Sequence, residues 1–364
     1  MSDIRGTDRK PIDFVVQTED PVYEVDTAMG KVTIAPYQPG DEAAILECWN
    51  LVFHWDHRGL EQWNWAFRDN PNGIHAWLGK LDDGRVVSQF CGLPVRAKVG
   101  DETFTFAQIV DSMVHPECRS GLKKRGVFGR TLLAFAYALG GRDQELVQFG
   151  LPNPPAYRLG VQTLYYVPLM KSYVHAKRVE PEEGLPELPP SIRALREVYS
   201  AHRVETFDAE HEALFARVRA RHDVICERDA VYLDWRYRAN PNWKYESYAV
   251  RTPDGHLVGL AVTRRDWLGQ PQLAIAEWLV DDASPGAAPA LLKLCEHVAR
   301  RDGQEKVIAY FNPVADEARV FEDADYDLEA TQFRLVAHSY DPATVTEGHL
   351  NRHWYYTLGD FDVV

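Results

Sequence analysis

The chain has 364 residues, and 54 acidic against 40 basic side chains leave a formal charge of −14; that length favours two domains over one. With 45% hydrophobic and 26% charged residues it has the make-up of a folded globular protein, which excludes disorder as the main state. No run approaches the roughly 18 apolar residues of a membrane span, the opening MSDIRGTDRKPIDF lacks a secretory core, and the acidic balance argues against a broad nucleic-acid surface.

In chain order, the first 30 residues stand apart in composition. Helices are then expected over Asp41–Phe53 and Leu60–Arg68, the second stopped by Asn70-Pro71, because a residue before proline is pushed out of the helical region. Antiparallel strands follow at Ala76–Lys80, Val86–Val95 and Thr103–Val114, with the turn Asp82-Asp83-Gly84 between the first two. Glycine accepts the positive φ that such tight turns demand. A helix at Phe128–Leu139 and a strand at Leu146–Leu151 complete the unit. Val179–Pro190 is acidic and proline-rich and reads as a linker.

The same order then returns. Trp65-Ala-Phe-Arg-Asp-Asn-Pro-Asn72 recurs as Trp235-Arg-Tyr-Arg-Ala-Asn-Pro-Asn242, at an offset of 170. It lies on an expected helix at Asp229–Arg238, followed by strands at Tyr245–Arg251, Leu257–Arg264 and Gln272–Val280, a helix at Ala287–Arg301 and a strand at Lys306–Phe311. Pro253-Asp-Gly255 repeats the hairpin signal, and Gln304-Glu-Lys-Val echoes Gln144-Glu-Leu-Val, each followed by Asn-Pro. The chain therefore reads as two copies of one αβ unit. The expected division is an N-terminal extension over 1–31, a first copy over 32–178, a linker over 179–199 and a second copy over 200–364. Arg68 and Arg238, present in both copies, are expected to be structural. The tryptophans Trp63, Trp65 and Trp235 are expected in the core.

The copies differ most where strand meets helix. The segment from His115 to Arg130 is six residues longer than its counterpart and holds Arg119, Lys123, Lys124, Arg125 and Arg130 with three glycines. A glycine-rich turn at a helix N-terminus presents unpaired N–H groups and a positive dipole end, so this segment suits a diphosphate. Copy two has Asp281-Asp282-Ala-Ser-Pro-Gly-Ala-Ala-Pro there, with two acids and no base, and should not hold phosphates.

This pattern of strand, Val-His-Pro, basic glycine turn and helix resembles motif A of the Gcn5-related N-acetyltransferase (GNAT) superfamily, with Lys123-Lys-Arg-Gly126-Val-Phe128 as the fit to its diphosphate turn. Phe149-Gly-Leu-Pro-Asn153 and Tyr157-Arg-Leu-Gly160 resemble motif B. A narrower resemblance is to bacterial tandem GNAT proteins that acylate nucleotide-linked amino sugars, which share Trp-x-aromatic-Arg-x-Asn-Pro and a closing Gly-Asp-x-Asp, here Gly359–Asp362. The resemblance implies an α/β fold of two tandem GNAT-like domains, each a mixed, mainly antiparallel sheet flanked by helices. It also implies acetyl-CoA or another acyl-CoA as co-substrate. Cofactor contacts then fall to Met113, Val114, Arg119, Lys123, Lys124, Arg125, Gly126, Val127, Phe128, Gly129 and Asn153.

The implied reaction is attack of a neutral amine on a thioester, which needs positioning, a proton acceptor and polarisation of the carbonyl. Backbone N–H groups at Met113 or Val114 would polarise. Asp111, a carboxylate in an otherwise apolar strand end, is the first candidate for base or amine ligand; the alternative is that it satisfies a neighbouring group. His115 either titrates near neutral pH or forms a plain turn. Tyr157 would protonate the departing thiolate. His54, Asp56 and His57 border the implied acceptor site and either bind a sugar or pair internally; no third ligand for a metal is evident. Glu277 either faces a shared cleft or closes a salt bridge between copies.

The five cysteines are scattered without a CxxC, so neither zinc nor a redox pair is indicated, and a cytoplasmic location is expected. The expected partner is a small-molecule amine, with no nucleic acid and no membrane span, and homodimerisation is left open. Two rival readings stand beside this one: a non-catalytic acyl-CoA-binding or regulatory module, and a GNAT-fold aminoacyl-transferase using charged tRNA.

Overall fold

The computed structural model describes residues 21–54, 58–119, 126–163 and 166–362. The chain forms two compact units. Unit one comprises Met1–His57, Ala76–Cys91 and Asp111–Gly140; unit two comprises Arg58–His75, Gly92–Val110 and Gly141–Val364.

Unit one begins with a hairpin of β1 (Glu24–Thr27) and β2 (Gly30–Pro36), which sequence reading did not anticipate. After α1 (Glu42–Phe53), and after α2 (Leu60–Trp63) of unit two, β3 (His75–Leu81) pairs antiparallel with β2 from Val32↔Leu81 to Pro36↔Trp77. The turn into β4 (Val86–Val99) is the one the sequence predicts. Gly84 has φ +89, and the Asp83 carboxylate accepts from the backbone N–H of Arg85 at 3.1 Å and from its Nε at 2.9 Å. The end of β5 (Glu102–Val114) leads by a short 3-10 turn toward α3 (Val127–Leu139). Val32, Ile34, Leu81, Val87, Cys118, Val127 and Ala134 form a core cluster. One apolar face of α3 is thereby removed from water against β2, the burial that drives such packing.

Unit two holds β6 (Glu145–Gly150), α4 (Pro154–Thr163), β7 (Val167–Arg178), β8 (Ile192–Ala194), β9 (Glu197–Val204), α5 (Ala209–Arg221), β10 (Val224–Cys226) and α6 (Ala230–Leu233). It continues with β11 (Glu246–Arg251), β12 (Leu257–Arg264), β13 (Gln272–Val280), α7 (Ala287–Arg301), β14 (Lys306–Ala309), α8 (Asp316–Glu322), β15 (Asp327–Ser339), α9 (Glu347–His353) and β16 (Trp354–Tyr355). From β5 onward the strand order is β5-β6-β15-β7-β14-β13-β12-β11-β9-β8. The β5/β6 and β13/β14 pairs are parallel and their neighbours antiparallel. The repeats exchange strands: β15, from the second copy, pairs with β6 of the first, and β7, from the first, pairs with β14 of the second. Neither pairing is visible in the sequence.

The repeated tryptophan motif has a common geometry. Each expected single helix is an α-turn that passes into a π-turn, at Asn64–Arg68 and at Asp234–Arg238. The amide of Asp69 reaches back five residues to Asn64, and that of Ala239 to Asp234. Trp65 and Trp235 carbonyls are thereby released from the α-helical pattern. Each accepts the indole N–H of the other tryptophan, both at 2.7 Å, and the two rings stack with centroids 5.5 Å apart. Both tryptophans are buried, as is Trp63. The Asn-Pro-Asn turns match too: Asn70 and Asn240 each accept from the amide two residues on, at 2.9 Å. Arg68 and Arg238 lie at the surface, bonded to Asp69 and Asp234. Among the described residues no helix is long and apolar enough to cross a membrane.

Candidate functional site

Most of the candidate residues lie in unit one. The end of β5 is irregular at Asp111, whose φ of +47 places it in the left-handed region, uncommon for a non-glycine residue. The Trp49 indole donates to its carboxylate at 3.0 Å, and Gln89 Nε2 donates to its carbonyl at 3.1 Å. Met113 is buried, and its carbonyl accepts from Ser88 Oγ at 3.3 Å. Val114 packs against the core cluster, and its carbonyl accepts from Arg119 Nε at 3.4 Å, so the exposed Arg119 folds back on the strand end. The His115 amide donates to Val87 carbonyl at 2.8 Å, and its Nδ1 accepts from the Glu117 amide at 3.3 Å. That bond makes the ring a cap for the following 3-10 turn and orients it by structure.

α3 opens on Gly126, which has no side chain to spend on the first-turn amides, and no described side chain caps them. Val127 is buried, while Phe128 meets Phe90 edge-on at 6.1 Å and Gly129 is half-buried. Lys123, Lys124 and Arg125 lie outside the described residues, as do Asp56 and His57. His54 is exposed and closes α1 in the left-handed conformation, its amide bonded to Asn50 carbonyl.

In unit two, β5 and β6 run parallel from Thr105↔Glu145 to Gln108↔Phe149; β6 then ends at Gly150 while β5 runs on. Asn153 caps α4, accepting from the Ala156 amide at 3.0 Å on its side chain and from the Tyr157 amide at 2.8 Å on its carbonyl. The Tyr157 ring lies under the Arg334 guanidinium, 5.1 Å from its centroid.

Glu277 corrects the expectation of an acceptor contact. Its side chain is 1% exposed. It accepts from Arg228 Nε at 3.1 Å and from the Tyr237 hydroxyl at 3.2 Å, and Arg228 also binds Asp360. Burial pushes its carboxyl up, against the pull of Arg228. A fully enclosed carboxylate committed to a buried guanidinium has no face left for a ligand.

Two groupings escaped sequence reading. Glu145, fully buried on β6, is bonded to His75 Nδ1 at 2.6 Å and to Gln148 Nε2 at 2.7 Å, and burial pushes its carboxyl up. A glutamate and a glutamine three apart in a mainly apolar strand were the available signal. The C-terminal segment also reaches β5, where Gln108 Nε2 donates to Asp362 at 2.6 Å.

The second copy's helix α7 also opens on a glycine, Gly286, but its opening is filled. The buried Tyr199 hydroxyl, bonded to Glu197, takes a backbone hydrogen bond at Gly286, where an added Cβ would meet it at 2.6 Å. All five cysteines are buried and none forms a disulfide, and among the described residues no group of three or more His, Cys, Asp or Glu could hold a metal.

Residues 33–158 match the acetyltransferase (GNAT) domain family. A comparison with curated protein sequences gives no match. Among solved structures, an Enterococcus faecalis V583 protein described as a probable N-acyltransferase superposes with a TM-score of 0.61 at 13% identity, covering 86% of this chain and 73% of that one. A GCN5-related N-acetyltransferase of Anabaena variabilis gives 0.59 at 13%, covering 86% and 74%. Saccharomyces cerevisiae N-myristoyltransferase with bound myristoyl-CoA gives 0.55 at 13%, covering 99% and 89%. At such identities the likeness concerns the fold, and it spans both repeats.

Proposed function

We propose that this acyltransferase of the GNAT fold takes its acyl group from an acyl-CoA and gives it to the primary amine of a small polar acceptor. A nucleotide-linked amino sugar is the class that the sequence resemblance points to. The observation that carries the reading is the contrast between the two repeats: α3 opens on Gly126 with its first amides uncapped by any described side chain, whereas the opening of α7 is filled by Tyr199. Unpaired amides at a helix N-terminus attract an anion, and Arg119 with Lys123, Lys124 and Arg125 would add charge. We assign the diphosphate of CoA to this segment.

In this reading the backbone N–H of Met113 or Val114 polarises the thioester carbonyl, and Asp111 receives or orients the attacking amine. Trp49 fixes one carboxylate oxygen of Asp111, which keeps the group oriented. Tyr157 supplies a proton to the departing thiolate. His115 holds the turn after β5 through its Nδ1. Atoms balance: the N–C bond forms, the C–S bond breaks, and one amine proton passes to the protein.

The test is thiol release from acetyl-CoA with a panel of amines that includes nucleotide-linked amino sugars. Turnover with at least one amine, strongly reduced in Asp111→Ala and in Tyr157→Phe, is expected. CoA binding without turnover on any amine would replace this reading with a binding module.

A further inference from the structure

The second repeat contains a hollow that the acyl-transfer reading leaves without a task. β13 and β14 pair from Gln272↔Lys306 to Ile275↔Ala309, and β13 then runs on past β14 to Val280, paired there with β12 alone. A cavity of about 550 Å³ opens beside that stretch. Trp278, Trp354 and Tyr355 give it aromatic walls, and the openings of α7 and α8 border it.

Its charge is the reverse of what a nucleotide needs. Five carboxylates line it, from Asp223, Asp281, Asp282, Asp316 and Glu317, against the guanidinium groups of Arg221 and Arg352. Some are already paired outward: Asp281 with Arg217 at 2.6 Å and Asp223 with His349 at 2.5 Å. Arg221 serves both Glu317, at 2.6 Å, and Asp282, at 3.7 Å, so one cation faces two anions.

Glu317 is the telling residue. Its side chain is 7% exposed, and Arg221 and His222 both bind the same oxygen, Oε1, at 2.6 and 3.2 Å. All three residues line the cavity, which sets the carboxylate in its wall. The second oxygen, Oε2, is buried with no partner, and so is the indole N–H of Trp278. A buried acceptor and a buried donor left unpaired are costly, and each awaits a complementary group. Burial opposes ionisation of Glu317, but the bond from His222 and the charges of His222 and Arg221 outweigh it and hold the carboxyl at about 2, so it is an anion at neutral pH.

We propose that this cleft of the second repeat binds a small organic cation, a molecule with a protonated amine or guanidinium to meet Glu317 and a hydroxyl or similar acceptor to meet Trp278. An acyl-CoA is excluded from it, because its phosphates would face Asp281 and Asp282 and the opening of α7 is closed by Tyr199. The site does not depend on where acyl-CoA binds.

Calorimetric titration of the full chain tests this, using glucosamine, ethanolamine, spermidine and arginine methyl ester as probes and neutral N-acetylglucosamine as the uncharged control. At least one cationic probe should bind, the control should not, and Glu317→Gln should weaken binding about tenfold or more. Because that substitution also loosens an ion pair, Val314→Trp is the companion: Val314 lines the cavity and is 55% exposed, so the indole obstructs the cleft without touching the core. Acetyl-CoA affinity should be unchanged in both variants. Binding by none of the four cations, binding that both variants leave intact, or a second acetyl-CoA per chain lost in Val314→Trp would each overturn the proposal.

Discussion

Gly126→Asp gives two effects of opposite sign, and their combination is hard to obtain unless an anion sits at the opening of α3. Gly126 has φ −73 and ψ 167, an ordinary extended conformation that aspartate adopts without strain. Aspartate is among the best N-cap residues, a few tenths of a kcal/mol better than glycine, so the variant should be as stable as the parent or slightly more so. The same carboxylate would occupy the first-turn amides and repel a diphosphate. Two unit charges about 4 Å apart interact by roughly 1 kcal/mol in water and roughly 4 kcal/mol at an effective dielectric of about 20. The half-buried Gly126 lies between those limits. A loss of about 2–3 kcal/mol is therefore expected, roughly 30- to 150-fold in CoA affinity. Titration with CoA measures it, with a thermal melt on the same samples and Gly126→Ala as the uncharged control. Retained affinity in Gly126→Asp, within about twofold, would refute the placement of the diphosphate.

Lys293→Ala in the second copy, which removes only an exposed bond to Arg193 carbonyl at 2.8 Å, should leave CoA affinity unchanged by the same titration. A large loss would put the nucleotide in the wrong repeat. Arg228→Leu should cost about 3–5 kcal/mol in urea unfolding, because it strands the buried carboxylates of Glu277 and Asp360 without their cation; a cost under about 1 kcal/mol would mean that the network is wet. Trp235→Phe should cost about 1–3 kcal/mol in the same assay by leaving the Trp65 carbonyl unpaired, and the Trp65→Phe/Trp235→Phe pair should cost less than the sum of the singles. Glu317 carries a pH dependence. Its folded value of about 2 lies below the ordinary glutamate value of 4.5, so its contribution is complete above about pH 4.5 and lost as pH falls toward 2. That shift corresponds to roughly 3 kcal/mol, and Glu317→Gln should flatten the acid limb of stability over that window; an identical acid limb in the variant would contradict it.

What could be read ahead of the structure was whatever depends on a few neighbouring residues. Asp-Gly turns fixed two hairpins, with Gly84 and Gly255 at φ +89 and +90. Asn-Pro stopped both tryptophan helices, and the bounds of β12, β13 and α7 follow the apolar pattern. What escaped depends on partners far along the chain. The π-turns exist because each released carbonyl finds an indole 170 positions away. Asp111 stood out as a carboxylate in an apolar strand, but nothing local identified Trp49, 62 positions earlier, as its donor. Glu277 read as a candidate for a cleft because its guanidinium, Arg228, lies 49 positions upstream. The exchange of β7 and β15 is a matter of pairing, and period-two alternation suits a strand for any neighbour.

Comparing the repeats separates residues kept for architecture from those open to change. At Trp65 and Trp235 the bonds are reciprocal, so replacing either tryptophan leaves a buried carbonyl of the other copy unpaired. Neither copy can alter its motif without harming its twin, and both retain it. At the helix openings there is no such reciprocity. α3 keeps glycine and a basic approach, while α7 closes its glycine with Tyr199 and replaces bases by Asp281 and Asp282. There the tyrosine hydroxyl meets the Gly286 amide, so that opening needs no ligand to satisfy it. The hollow beside β13 is lined by Glu317 and Trp278, which carry one unmatched buried acceptor and one unmatched buried donor. On the proposal made for this hollow, the second repeat is better probed with cations than with coenzymes.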